Sequence, residues 1–214
     1  MLCNAPLEIG EHVVCNKCIK DNHLFDAFQL QVTNNPLERR MLGSCITAAS
    51  ALMIYQQDEP SQKLIHGLKY YGKKSIAELL GKAMAEKIAL SPKYANIDYI
   101  VPIPIHKNKQ RKRGYNQSEL IAAEIAKELN IPLVIDMLWR VSDNKAQANM
   151  SLEDRQKNKI VFQLKDEKFF ENKRILLIDD VFTTGTTVLC CVEAFSNVKG
   201  INILLYTAAS PLGK

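Results

Sequence analysis

An α/β fold, a parallel sheet flanked by helices, is what three features of this chain predict. Strand-like apolar runs alternate with helical patterns over residues 99–209, as when parallel strands are joined through helices. The run Ile175, Leu176, Leu177, Ile178 lacks polar alternation, as a strand covered on both faces requires. It ends in two carboxylates, Asp179 and Asp180, and a turn of small hydroxyl residues leads into a helical pattern from Val188 to about Val198. In such sheets ligands bind beyond the carboxyl ends of the strands.

In chain order, residues 1–35 carry closely spaced Cys, Asn, Gly and His with no long apolar face, which predicts a small separate module ahead of a main domain at 36–214. Residues 44–55 are apolar and small, and 56–60 make a polar turn. Helical patterns cover 63–70 and then 74–89, where Ile76, Leu79, Leu80, Met84 and Ile88 recur at helical spacing. The sheet begins at 99–105, a loop carries 107–115, and a helix runs from Asn116 or Gln117 to Leu129. Residues 131–138 supply a short strand, with Pro132 at its start, where no ladder donor is required. The charged stretch 140–159 has almost no apolar periodicity and is long for a structureless connection, which predicts a functional lid. The last strand is expected at 201–209, and there is no internal repeat.

Composition sets outer bounds. A chain of 214 residues, 47% hydrophobic, suits one medium domain plus a small appendage. No segment approaches the ~20 uninterrupted apolar residues of a membrane span. No basic region followed by an apolar stretch marks a secretory signal, so the expected compartment is the cytoplasm, without membrane insertion. The net charge of +5 suits a phosphate-rich ligand or weak nucleic-acid affinity and selects neither. Six cysteines at this length do not make a disulfide scaffold; Cys45, Cys190 and Cys191 fall in apolar helical patterns and are expected as buried small residues.

The chemistry concentrates after the predicted strand at 175–178. Backbone N–H groups of Thr183, Thr184, Gly185, Thr186 and Thr187 would face a phosphate, with the helix dipole favouring its charge and the hydroxyls adding donors. Two acids ahead of that cradle suit a sugar phosphate, Asp179 and Asp180 taking the ribose hydroxyls. The segment 175–187 resembles the signature of type I phosphoribosyltransferases, which bind phosphoribosyl pyrophosphate (PRPP) there. The resemblance implies a second anion site for pyrophosphate. Five cations stand in residues 107–113, and Lys109, Arg111, Lys112 and Arg113 are the candidates, with Gly114 letting the backbone approach. Alone, such a segment would be a solvated basic loop or a nucleic-acid patch.

A narrower resemblance covers nearly the whole chain. Val101-Pro-Ile-Pro104, then Arg113-Gly-Tyr-Asn-Gln-Ser118 opening a helix, then Leu68-Lys-Tyr-Tyr-Gly-Lys73, and the lid residues Gln147, Arg155 and Asn158 ahead of Phe162 together resemble the ComF family, a phosphoribosyltransferase-like group associated with bacterial DNA uptake. The resemblance implies a type I phosphoribosyltransferase-like sheet and a lid in which Lys145, Gln147 and Arg155 close over pyrophosphate. Arg155 is the first choice for a catalytic role, since a planar fork grips phosphate through two bonds; a surface ion pair to Glu153 or Asp154 is nearly as good a reading. Mg²⁺ would bridge pyrophosphate and ribose oxygens, held mostly by substrate and water. Lys69 and Tyr70 receive no definite role.

Cys15 and Cys18 form a CxxC pair, the commonest half of a zinc knuckle, and Cys3 stands twelve residues earlier. ComF proteins typically begin with two such pairs, so Cys3 matches the second member of the first pair, and its partner would precede Met1. Either the true start lies upstream, the favoured expectation, or Zn²⁺ takes another fourth ligand such as His23, with His12 also close in sequence.

These features suit two functions. The first is an Mg²⁺-dependent phosphoribosyl transfer from PRPP that releases pyrophosphate, the acceptor unnamed because the segment after the last strand is short. The second is a non-catalytic competence protein that grips single-stranded DNA, uses the PRPP site as a regulatory or backbone-binding pocket and works with competence-machinery proteins. There the basic loop serves as backbone contact and Tyr70, Tyr71 or Tyr115 as stacking surfaces.

Overall fold

The computed structural model describes residues 2–3, 5–9, 11, 13–22, 24–25, 37–38, 41, 44–70, 74–141 and 160–211. A short helix α1 (Asn16–Asp21) precedes strand β1 (Ile46–Ile54), and helices α2 (Pro60–Tyr70) and α3 (Lys74–Ala89) lead to β2 (Tyr99–Pro102). Helices α4 (Lys107–Arg113) and α5 (Gln117–Leu129) come next, then strands β3 (Leu138–Val141) and β4 (Val161–Leu164). Strand β5 (Arg174–Val181), helix α6 (Thr186–Glu193) and β6 (Asn202–Ser210) complete the chain.

Strands β1, β6, β5 and β2 lie side by side in that order, all parallel, while β3 and β4 pair antiparallel in a separate ribbon. Side-chain alternation divides the core into two layers. Ile100, Leu176, Ile178, Leu204 and Tyr206 face helices α2, α3 and α5, and Val13, Val14 and Leu24 of the N-terminal segment join the same layer. Val101, Ile175, Leu177, Ile203 and Leu205 face α6 and the ribbon residues Leu138 and Phe162. Strand β5 is thus wrapped on both sides, which is why Ile175, Leu176, Leu177 and Ile178 are all apolar and fully buried. Each such side chain contributes about 1.5–3 kcal/mol of burial.

Helix α3 presents Ile76, Leu80, Met84 and Ile88 to the core, and its Gly81 lies so close to α5 that an added Cβ would stand 2.6 Å from Cβ of Glu124. Helix α5 begins where the Asn116 side chain accepts the Ser118 N–H at 3.2 Å and ends at Asn130, in the left-handed region with φ 53°. Both helices keep the bounds their periodicity predicts.

Four expectations change. Residues 107–113 are helix α4 rather than loop: Nδ1 of His106 accepts the Asn108 N–H at 3.2 Å, and the Gly114 N–H donates to the Gln110 carbonyl at 2.7 Å with φ 82°. Lys, Arg and Gln are good helix formers, and the three basic residues of the last turn complement the dipole; with no residue buried, α4 leaves no apolar pattern to read. The strand expected at 131–138 reduces to one bridge, Leu133 beside Ile100, with the Ile100 N–H on the Pro132 carbonyl at 2.9 Å. Leu138 then departs into the ribbon opposite Leu164. Cys45 is exposed ahead of β1, whereas Cys191 is buried in α6 and Cys190 is half-buried. The helix expected to reach Val198 stops at Glu193. Of the expected lid, Arg140 and Val141 close β3; the rest, residues 142–159, lie outside the described residues.

Candidate functional site

The carboxyl ends of β1, β2 and β5 open onto one pocket of about 350 Å³. It is lined by Tyr55 after β1, Ile103, Pro104 and Ile105 after β2, Asp179, Asp180 and Val181 of β5, and Thr183 and Thr187 at the start of α6. Lys69 from the end of α2, Lys109 and Arg113 from α4, Gln117 from α5 and Arg140 from β3 complete the wall.

The two acids share a backbone and meet different surroundings. Asp179 Oδ1 accepts from the Ser118 hydroxyl at 3.0 Å and from the Asp180 N–H at 2.9 Å. Burial and then the Asp180 charge push its pKa up to about 7, against the opposing pull of Ser118, the Asp180 N–H and Lys69. Asp180 Oδ2 instead meets the Lys69 ammonium at 3.1 Å. The pair therefore divides into one carboxyl near neutrality and one held against a cation. Such a pair does not form a two-carboxylate cage for a divalent ion. An Mg²⁺ ion in such a pocket would have to be held mainly by ligand oxygens and water.

The cradle at 183–187 is built by Gly185, which takes φ 83° as N-cap of α6 and is packed so tightly that a Cβ would stand 2.7 Å from Cζ of Phe182. The Thr184 and Thr186 hydroxyls lie 3.0 Å apart, and the Thr186 N–H reaches the Thr184 oxygen at 3.4 Å. Thr183 and Thr187 line the pocket; Thr184 and Thr186 are exposed beside it and Gly185 is buried. On α4, Lys109 and Arg113 face the pocket, while Arg111, Lys112 and Gly114 are exposed and do not line it. The lid candidates Lys145, Gln147 and Arg155 lie outside the described residues, as do Tyr71, His12 and His23.

Sequence reasoning missed Arg140, Gln117 and Ser118 and gave Lys69 no role. A signal for two of them existed: Gln117 and Ser118 stand in phase with Ile121, Ala122 and Ile125 on the buried stripe of α5, where polar residues are out of place unless they serve something. Arg140 had no such signal, because β3 is legible only through its partner strand. Burial draws its guanidinium below the ordinary value, a cost that suits an anion nearby.

Away from the pocket, the sulfurs of Cys3, Cys15 and Cys18 lie within 4.8 Å of one another. Cys15 caps α1, its Sγ accepting the Cys18 N–H at 3.4 Å, and Cys3 Sγ stands 3.6 Å from it. The Ala5 N–H lowers the Cys3 thiol, whereas the Cys3 and Cys15 sulfurs push Cys18 up to about 12. Three soft donors at this spacing fit a zinc ion short of one ligand.

The parallel sheet, the acidic pair and the cradle lie within residues 116–211 and the strands beside them, and residues 116–211, from the cap of α5 to the end of β6, match the phosphoribosyl transferase domain. Beyond that domain the chain is a relative of competence protein F of Haemophilus influenzae, at 26% identity over 195 residues covering 87% of this chain and 85% of that one. It is likewise 26% identical over 199 residues to the DNA utilization protein YhgH of Escherichia coli, covering 87% and 86%, and 23% identical over 188 residues to competence protein ComFC of Bacillus subtilis, covering 87% and 67%. Among solved structures, a Leishmania tarentolae adenine phosphoribosyltransferase overlaps at TM-score 0.43 and 14% identity, covering 79% of this chain and 93% of that one. A Staphylococcus aureus hypoxanthine phosphoribosyltransferase overlaps at TM-score 0.39 and 17% identity, covering 63% of each.

Proposed function

We propose that the protein binds PRPP with Mg²⁺ in this pocket and transfers its phosphoribosyl group to an acceptor, releasing pyrophosphate, in a role tied to DNA uptake. The observation that carries the reading is the convergence on one pocket of an acidic pair, a threonine-lined helix start and cations from three elements, Lys69, Lys109, Arg113 and Arg140. Asp179 and Asp180 take the ribose hydroxyls, and residues 183–187 take the 5′-phosphate. Lys109, Arg113 and Arg140 neutralise pyrophosphate as charge builds on it during departure from C1. Mg²⁺ supplies further charge neutralisation on the pyrophosphate oxygens. The N-terminal segment carries Cys3, Cys15 and Cys18, which hold Zn²⁺, and packs Val13, Val14 and Leu24 against the phosphoribosyltransferase-like domain. The names of the relatives support the link to competence.

Calorimetric titration of PRPP, with and without Mg²⁺, tests the reading. The wild type should bind in an Mg²⁺-dependent manner and the Asp179→Asn/Asp180→Asn variant should not; equal binding by the two would remove the acidic pair from the site. A screen of acceptors for pyrophosphate release then tests turnover.

A second reading, single-stranded DNA binding without turnover, has one observation in its favour. Tyr70 is 65% exposed, with the Arg113 guanidinium 5.3 Å from its ring centroid and His66 edge-on at 5.6 Å, a stacking surface at the rim of the basic helix. If it holds, DNA affinity should fall steeply with salt and drop on Lys109→Ala or Arg111→Ala substitution.

A further inference from the structure

One buried group in the pocket is left unexplained by the structure around it. Gln117 is 1% exposed, yet neither its Nε2 nor its Oε1 has a hydrogen-bond partner among the described residues. Its neighbours at the start of α5 are satisfied: Asn116 Nδ2 donates to the Ile103 carbonyl at 3.1 Å, and the Ser118 hydroxyl donates to Asp179 at 3.0 Å. An amide with both ends unmet inside a protein is unfavourable, and such groups in native structures call for a specific reason. Here the side chain lines the same pocket as Asp179 and Asp180.

The chemistry of the amide narrows what it awaits. A phosphate oxygen only accepts, so it would satisfy Nε2 and leave Oε1 bare. A metal ion would satisfy Oε1 and leave Nε2 bare. A hydroxyl both donates and accepts, and a vicinal pair of hydroxyls satisfies both ends of an amide while still offering a proton to a neighbouring carboxylate. The cations of the pocket come from α2, α4 and β3, whereas Gln117 is neutral and stands next in sequence to the serine that orients Asp179.

We propose that Gln117 is a specificity-determining residue that reads the ribose hydroxyls together with Asp179 and Asp180, so that the pocket selects a ribosyl over a deoxyribosyl phosphate. The inference rests on the sugar-phosphate reading above and adds to it a residue and a discrimination. It also bears on the second reading, since a sugar within a DNA strand offers neither hydroxyl: the 2′ position carries none and the 3′ oxygen is bonded to phosphate.

The substitution to make is Gln117→Met, close in volume and without polar ends. Removing a purely structural amide would lower the thermal midpoint. Removing one that waits for ligand should leave the midpoint unchanged or raise it, as trading a site's unmet polar group for packing does. Calorimetry with ribose 5-phosphate, its 2-deoxy and 3-deoxy analogues and inorganic pyrophosphate supplies the second readout. Loss of the amide's bonds should weaken ribose 5-phosphate binding on the order of tenfold. At least one deoxy analogue should show a smaller loss, and pyrophosphate should bind as before. An equal loss for all three sugars, a loss for pyrophosphate, or no loss with a lowered midpoint would overturn the assignment of Gln117 while leaving the sugar-phosphate site standing. Failure of the wild type to bind any of these sugar phosphates or PRPP would overturn both.

Discussion

Asp179 and Asp180 show how adjacent residues of one strand come to hold different charges. Asp179, raised to about 7 by burial and by its neighbour, keeps a proton in the folded protein that the unfolded chain releases near pH 4. The folded state thus binds more protons across that window. The contribution of this carboxyl to stability is full below about pH 4 and is lost as pH rises through about 7. Asp179→Asn should flatten the difference, so urea midpoints of wild type and variant measured from pH 4 to 8 should converge or cross as the acid limb is removed. The Lys69–Asp180 pair is mostly shielded, at 23% and 14% side-chain exposure. Lys69→Met leaves a carboxylate without its cation and should cost about 1–2 kcal/mol in chemical denaturation, between the values for exposed and buried pairs. The same change removes a charge that holds Asp179 down, so the stability loss, which still begins near pH 4, should continue to higher pH. The acids themselves were legible in the sequence because they follow an uninterrupted apolar strand. Their division was not, because it depends on Ser118 and Lys69, brought in from α5 and α2.

Among the elements, the glycine that ends α4 and the glycine that begins α6 make a matched pair, both with positive φ. Gly114 ends α4 at φ 82° and an added Cβ would meet nothing within 4 Å, so Gly114→Ala should cost only the conformational penalty of about 1 kcal/mol. Gly185 has nearly the same φ, 83°, but its Cβ would press on Phe182 at 2.7 Å and on Met41 at 3.0 Å. Gly185→Ala adds a clash with a buried ring to the same penalty, and a loss of about 3 kcal/mol or more is expected. Equal urea midpoints for the two variants would contradict this packing. Helix α3 was readable to the residue and α5 to within one, since their buried stripes repeat at helical spacing. Helix α4 was not, because it buries nothing, and the β3–β4 ribbon was not, because its two halves are separated by a long charged stretch and identify each other only by pairing. The cysteine cluster lies between these cases. The CxxC was visible in its own spacing, whereas Cys3 was joined to it only through the family resemblance, and the fold brings the three sulfurs together. If the cluster holds Zn²⁺, purified protein should contain about one equivalent by atomic absorption and Cys15→Ser should lose it.

For the whole molecule, the order β1-β6-β5-β2 explains why a single pocket draws on so many segments. Parallel strands all end on the same side, so the segments that leave β1, β2 and β5 are gathered at one rim. Alternation of apolar runs and helical patterns revealed this much, together with the class of the sheet. It did not reveal strand order, nor that β1 and β2 would become the two edges. A ligand that bridges segments from three strand ends should stiffen the molecule as a unit. PRPP at one hundred times its dissociation constant should add about 2.7 kcal/mol, a rise of roughly 5–10 °C in the thermal midpoint.

The same parallel arrangement separates two ends of the molecule that chemistry can address independently. Cys45 is exposed at the residue just before β1, and Tyr55, just after it, lines the pocket. Nine residues of strand keep them roughly 30 Å apart. A tether or dye joined to Cys45 therefore hangs from the base of the sheet and leaves the mouth of the pocket open. Partial burial raises the Cys45 thiol, so coupling should be carried out on the alkaline side of neutrality. If metal occupies the Cys3 cluster, the chain supplies its own attachment point for surface-based binding measurements.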